Sequence, residues 1–64
     1  MSAAIGSTGT VRVRVPGTAD PGEVELPVRG GCDRFLADAA AELAEGAAGL
    51  VIERVGARAV RVTP

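Results

Sequence analysis

The side chains able to do chemistry are few. Asp33, Asp38, Glu42 and Glu45 form the densest carboxylate group in the chain. On a helix, Asp38, Glu42 and Glu45 would recur at i, i+4 and i+7 and share one face. Paired carboxylates do acid–base work when burial splits their pKa values, and converging ones hold divalent cations. On so short a chain these acids are expected to be solvated, so neither a catalytic pair nor a metal site is assigned to them. Cys32 follows Gly30-Gly31 and precedes Asp33, the outline of a nucleophile turn. The chain has no His to serve as its base, so the four residues read better as a hairpin or bulge. Cys32 is then a small, partly buried apolar residue. Gly6-Ser7-Thr8-Gly9 has the composition of a phosphate loop. It lacks the Gly-Lys-Ser/Thr that such a loop needs and reads as a turn.

Arg12, Arg14, Arg29, Arg58 and Arg61 could meet phosphates. Seven Arg stand against eight acids, for a net charge of −1. Nonspecific nucleic-acid binding draws on several unopposed cations. Single-strand binding adds stacking rings, and Phe35 is the only aromatic residue here. A nucleic-acid partner is therefore not favoured. The same composition argues against other site chemistries. With no His and one Cys, a four-ligand structural zinc site and a Ser-His or Cys-His pair are not expected. Cys32 has no partner for an internal disulfide. No catalytic residue, metal or cofactor is expected.

These residues must be held by one small domain. The 64 residues are 47 % hydrophobic, but 12 of those side chains are Ala. A domain of about 60 residues buries only ~60 % of the surface its unfolded chain exposes. A homo-oligomer is compatible with so small a core, since burying surface against a copy adds stability. No apolar run approaches the ~20 residues that span a bilayer, and no basic-led signal peptide opens the chain, so the sequence as it stands reads as soluble.

Residues 1–7 are expected to be a flexible lead-in, and 8–64 a single domain. From Thr8 to Val15 the chain alternates, with Val11, Val13 and Val15 on one face and Arg12 and Arg14 on the other. That predicts a half-buried strand. Pro16-Gly17 ends it, and Asp20-Pro21-Gly22 supplies a turn. Glu23–Arg29 alternates again, with Val24, Leu26 and Val28 inward. Pro27 has no N–H to give to a ladder, so it belongs at an edge or with its nitrogen outward. The Arg row of the first strand can face the Glu row of the second. After Gly49, Leu50–Val55 predicts a fourth strand. A reversal around Gly56 returns the chain through Ala59–Thr63, with Val60 and Val62 inward.

Cys32–Glu45 reads two ways. Its Ala content, an Asp33 cap and a closing Gly46 favour a helix at about 33–45, which gives a β-β-α-β-β α+β domain. Its alternation instead sends Phe35, Ala37 and Ala39 inward from a strand, with Leu36 and Asp38 opposite.

The motif order favours the second reading. Ile5-Gly6-Ser7-Thr8-Gly9-Thr10-Val11, Pro21-Gly22-Glu23-Val24, Phe35-Leu36-Ala37, Ala44-Glu45-Gly46, Leu50-Val51-Ile52-Glu53 and Val60-Arg61-Val62-Thr63-Pro64 together resemble the C-terminal soluble domain of NfeD-like proteins. One departure is Gly46-Ala47-Ala48-Gly49-Leu50, which replaces that family's tight Gly-Thr entry to the fourth strand. The resemblance implies an all-β fold, a small five-stranded OB-like barrel. Gly9, Gly22, Gly31 and Gly56 would then serve its corners and tight turns. It also implies a non-catalytic protein-interaction module that works with stomatin- or flotillin-type membrane scaffolds, and is membrane-associated when carried on a longer anchored protein. Arg12, Arg14, Val51, Glu53 and Arg61 are the expected interaction surface. The alternatives are a single-stranded nucleic-acid-binding OB domain and a small α+β regulatory subunit.

Overall fold

The computed structural model describes residues 5–18 and 20–64. It holds five strands: β1 (Thr8–Val13), β2 (Gly22–Val28), β3 (Gly31–Asp38), β4 (Ala48–Gly56) and β5 (Ala59–Thr63). They close into a barrel in the order β1-β2-β3-β5-β4, with β4 returning to β1. All pairings are antiparallel except β3 with β5, a parallel seam of three residue pairs from Leu36–Ala59 to Asp38–Arg61. By contrast β2 and β3 pair over seven residues, from Gly22–Ala37 to Val28–Gly31.

The β3 segment resolves the two readings of Cys32–Glu45, and no helix forms there. An isolated Ala-rich segment of this length is a marginal helix in water. As a strand it sends Phe35 and Ala37 into the core and satisfies its backbone against β2. Beyond Asp38 the chain stays irregular. Ala39 and Leu43 are buried, and Val15 and Leu43 exchange two backbone hydrogen bonds of 2.9 Å. The Ala-rich run therefore closes one end of the barrel. An α+β architecture is ruled out, and strength of local propensity gives way to tertiary pairing.

The interior comprises Val11, Val15, Val24, Leu26, Phe35, Ala37, Ala39, Leu43, Val51, Val60 and Val62. Val24, Leu26, Val60 and Val62 occupy the inward positions that strict alternation assigns them. Val13 does not. Successive pairs run Val11–Val24 and then Val13–Glu23, so β1 carries one extra residue, Arg12, at a bulge. The bulge turns Val13 outward, 46 % exposed, and Val15 comes back inward two residues later. Pro27 lies past the last β1–β2 pair, Thr10 with Glu25, where its missing N–H costs no ladder bond.

Two glycines are required by close approach. A β-carbon on Gly9 would collide with the Glu25 carbonyl oxygen and the Leu26 side chain, and one on Gly22 with the carbonyl oxygens of Val13 and Arg14. Gly56 is not comparable: a β-carbon there would make only ordinary contact with Ala59. The entry to β4 is tight despite its Ala-rich sequence. The Ala47 N–H donates to the Ala44 oxygen (3.0 Å), and Gly46 takes φ +90° at the third position of that turn. The lead-in expected over 1–7 falls partly outside the described residues. Within it, the Gly6 N–H donates to the Val51 oxygen (2.8 Å), and the Ser7 oxygen accepts from the Val51 N–H (2.9 Å).

Candidate functional site

The outer surface divides into two faces. On β1, β2 and β3 the bulge holds Arg12 against Glu25, its Nε and Nη2 donating to Oε1 at 2.9 and 2.7 Å. Glu25 sits opposite Arg34 in the β2–β3 register, and Arg34 reaches Glu23 at 3.6 Å. Arg14 pairs with Glu42 on the barrel-end loop. The facing Arg and Glu rows thus meet at Arg12–Glu25, while Arg14 turns to a different acid. A phosphate-bearing ligand at Arg12, Arg14 or Arg34 would have to displace the carboxylates that already meet these guanidinium groups, and Arg29, exposed at the β2–β3 turn, has no ion pair with another described residue.

The other face spans β3, β5 and β4. Here Leu36 and Val55 are 49 % and 48 % exposed. They line a groove of about 160 Å³ with Pro21, Ala37, Asp38, Ala59 and Val60. Asp38 is the one charged lining residue. Arg61 bridges it to Glu53, with contacts of 3.2 Å to Asp38 and 2.9 Å to Glu53. Leu36 points outward because its neighbours Phe35 and Ala37 face the core. Val55 points outward because β4 is irregular: the pairs Arg54–Val60 and Gly56–Ala59 leave Val55 as an extra residue.

The seam beside this groove is short, and Arg58 reinforces it. Its guanidinium lies 5.2 Å from the Phe35 ring centroid and donates to the Arg34 carbonyl oxygen (2.8 Å). The same Nη2 meets Asp33 Oδ1 at 2.8 Å, and the Arg58 carbonyl accepts from the Leu36 N–H (2.8 Å). The Arg58 hydrogen bond and the Arg34 backbone N–H together hold the Asp33 carboxyl below its ordinary range. A general acid needs the opposite shift.

The residues expected to form one interaction surface separate. Arg12 and Arg14 belong to the β1 side, and Glu53 and Arg61 to the β4–β5 side. Val51 has to be removed from the surface: it is 1 % exposed and packs in the core, because it is the inward partner of Val62. Cys32 is likewise corrected. It is exposed rather than partly buried, because it stands on the outer side of β3 opposite Pro27. Asp38, Glu42 and Glu45 share no helical face, and two of them meet arginines on other elements. Among the described residues no three His, Cys, Asp or Glu side chains converge as metal ligands. The groove residues Leu36, Val55, Pro21 and Ala59 were not singled out from sequence. An outward Leu36 follows from the strand reading of β3, but Val55 depends on a bulge that leaves no mark in the residue pattern.

Strand order and an interior filled by inward Val, Leu and Phe define a small OB-like barrel domain. The model of the NfeD C-terminal domain matches residues 8–63. The chain belongs to that family. The solution structure of the soluble domain of the NfeD protein YuaF from Bacillus subtilis is similar, with a TM-score of 0.76 and 29 % identity. That likeness covers 92 % of this chain and 70 % of the other. No curated protein matches the sequence. Among the described residues no helix is long and apolar enough to cross a membrane.

Proposed function

We propose that this domain is a non-catalytic protein-interaction module that docks on a stomatin- or flotillin-type membrane scaffold, and that it is membrane-associated when carried on an anchored chain. The observation that supports this is the apolar groove at Leu36 and Val55, set on the surface of a barrel whose carboxylates are mostly engaged by arginines. An apolar groove offers a partner side chain burial from water rather than reacting groups. Glu53 and Arg61 flank the groove and belong to the docking face. Arg12 and Arg14 form a second, solvated row that bears on encounter rather than affinity.

The test is direct binding of the purified domain to a purified stomatin- or flotillin-type protein, by calorimetry or surface plasmon resonance. Saturable binding that Leu36→Asp abolishes, with the variant still folded, supports the reading. Absence of binding to both scaffold types overturns it.

A further inference from the structure

The chemistry around the groove indicates what kind of segment fits it. Its floor and walls are Leu36, Val55, Ala59 and Pro21, and its volume of about 160 Å³ suits one aliphatic side chain. Its rim is acidic. Arg61 is shared between Asp38 and Glu53, so these three groups carry a formal charge of −1. Asp20, the residue before Pro21, is exposed and makes no ion pair with another described residue. Arg54 adjoins Val55, is the register partner of the groove residue Val60 and makes no ion pair with another described residue, so it offsets part of this. Asp20, Asp38 and Glu53 against Arg54 and Arg61 still leave a formal charge of −1. Arg58 is committed to Asp33 and the Arg34 carbonyl.

Resting on the interaction reading above, we infer that the groove receives an aliphatic side chain carried on a lysine- or arginine-rich segment of a protein partner. The apolar side chain supplies contact with Leu36 and Val55. The flanking cations meet Asp20, Asp38 and Glu53, whose three negative charges exceed the two positive charges of Arg54 and Arg61. An anionic membrane surface would be repelled by the same rim. A second copy of this chain would bring like charge to like.

Labelled hexapeptides test this on the intact domain. Lys-Lys-Leu-Val-Lys-Lys is compared with Glu-Glu-Leu-Val-Glu-Glu and Lys-Lys-Ser-Ser-Lys-Lys by fluorescence anisotropy. Amide shifts in two-dimensional NMR locate the contact. The basic apolar peptide is expected to bind, to shift the amides of Leu36, Val55 and Ala59, and to weaken as salt is raised. Val55→Ser should lower its affinity roughly tenfold, and Asp20→Lys should lower it without moving the apolar contacts. Equal binding of the acidic peptide, undiminished binding of the serine peptide, shifts confined to β1 and β2, or self-association abolished by Val55→Ser would each overturn the inference. If the scaffold protein binds and Val55→Ser leaves that binding unchanged, this inference falls while the interaction reading stands. If the peptide binds in the groove but neither scaffold type binds the domain, the scaffold partner falls and the groove chemistry stands.

Discussion

Outward positions on β1, β2 and the first half of β3 carry Arg12, Glu25, Arg34 and Glu23 together with the bulge-turned Val13, whereas those around the β3–β5 seam carry Leu36, Ala59 and Val55. Both faces enclose the same core, and they differ in how the backbone beneath them is held. The β2–β3 ladder runs for seven residue pairs and needs little help from side chains. The β3–β5 seam has three, and Arg58 and Arg61 fasten it from outside. Charged groups on the long ladder are neutralised locally and solvated. Those at the seam hold the barrel closed and also border the apolar groove. Closure and the apolar groove therefore meet on one face, and the other face is mostly charged.

The largest expected effect comes from breaking the polar side at its bulge. Gly22→Ala would drive a β-carbon into the carbonyl oxygens of Val13 and Arg14. Because backbone rather than a flexible side chain stands in the way, the bulge must shift. A loss of about 1–3 kcal/mol or more is expected, read as a lowered denaturation midpoint. Unchanged stability would mean that the bulge is not a fixed part of the fold.

Changes on the groove should separate binding from folding. Leu36→Asp and Val55→Ser alter half-exposed side chains. Their effect on stability is expected within about 0.5 kcal/mol, while partner binding falls by roughly tenfold or more. A matched substitution on the polar face, Arg34→Ser, should leave binding unchanged. If all three variants bind alike, the two faces do not differ in function.

Much of the fold was legible in the residues. Val24, Leu26, Val60 and Val62 alternate as inward residues and occupy inward positions. The turns at Asp20-Pro21-Gly22 and Gly56 fall where the chain reverses. The stretch at Cys32–Glu45 was ambiguous because Ala serves a helix and a crowded barrel interior equally well. Its conformation is decided by pairing with β2, a non-local fact. The candidate surface was less legible for the same kind of reason. Val51 and Val13 exchange their expected roles: Val13 is turned out by the Arg12 bulge, and Val51 is turned in as the partner of Val62. Bulges reverse which side of a sheet a residue faces, and nothing in the period-2 pattern announces them.

At the seam, Arg58→Ala removes the cation over Phe35, worth about 0.5–1 kcal/mol at an exposed site, and also the bond to the Arg34 carbonyl. Thermal denaturation should show a clear loss. The associated Asp33 carboxyl gives the seam a pH signature. Its pKa is lowered in the folded state, first by Arg58, so its contribution is fully present above the ordinary Asp value of about 3.9. It fades as pH falls through the lower folded value. Asp33→Asn should flatten that part of the stability–pH curve. A wild-type curve already flat through this range would remove Asp33 from the account of closure.

The smallest effect is expected on the polar face, and it sharpens the contrast most directly. Arg12 and Glu25 are both substantially solvated, with side chains 46 % and 31 % exposed. Two donors of Arg12 reach a single carboxylate oxygen, so the geometry is less favourable than a two-oxygen fork. A double-mutant cycle through Arg12→Ala and Glu25→Ala should give a coupling of about 0.2–1 kcal/mol that shrinks with added salt. Arg58 and Asp33 are more exposed still, at 57 % and 43 %, so a cycle through Arg58→Ala and Asp33→Ala should give a coupling that is just as salt-sensitive. The loss from Arg58→Ala alone should persist in salt, because Arg58 also packs on the buried Phe35 ring and bonds the Arg34 backbone. A loss from Arg58→Ala that vanishes in high salt would show that the seam arginine is an ordinary surface charge, and the barrel would then be closed by backbone pairing alone.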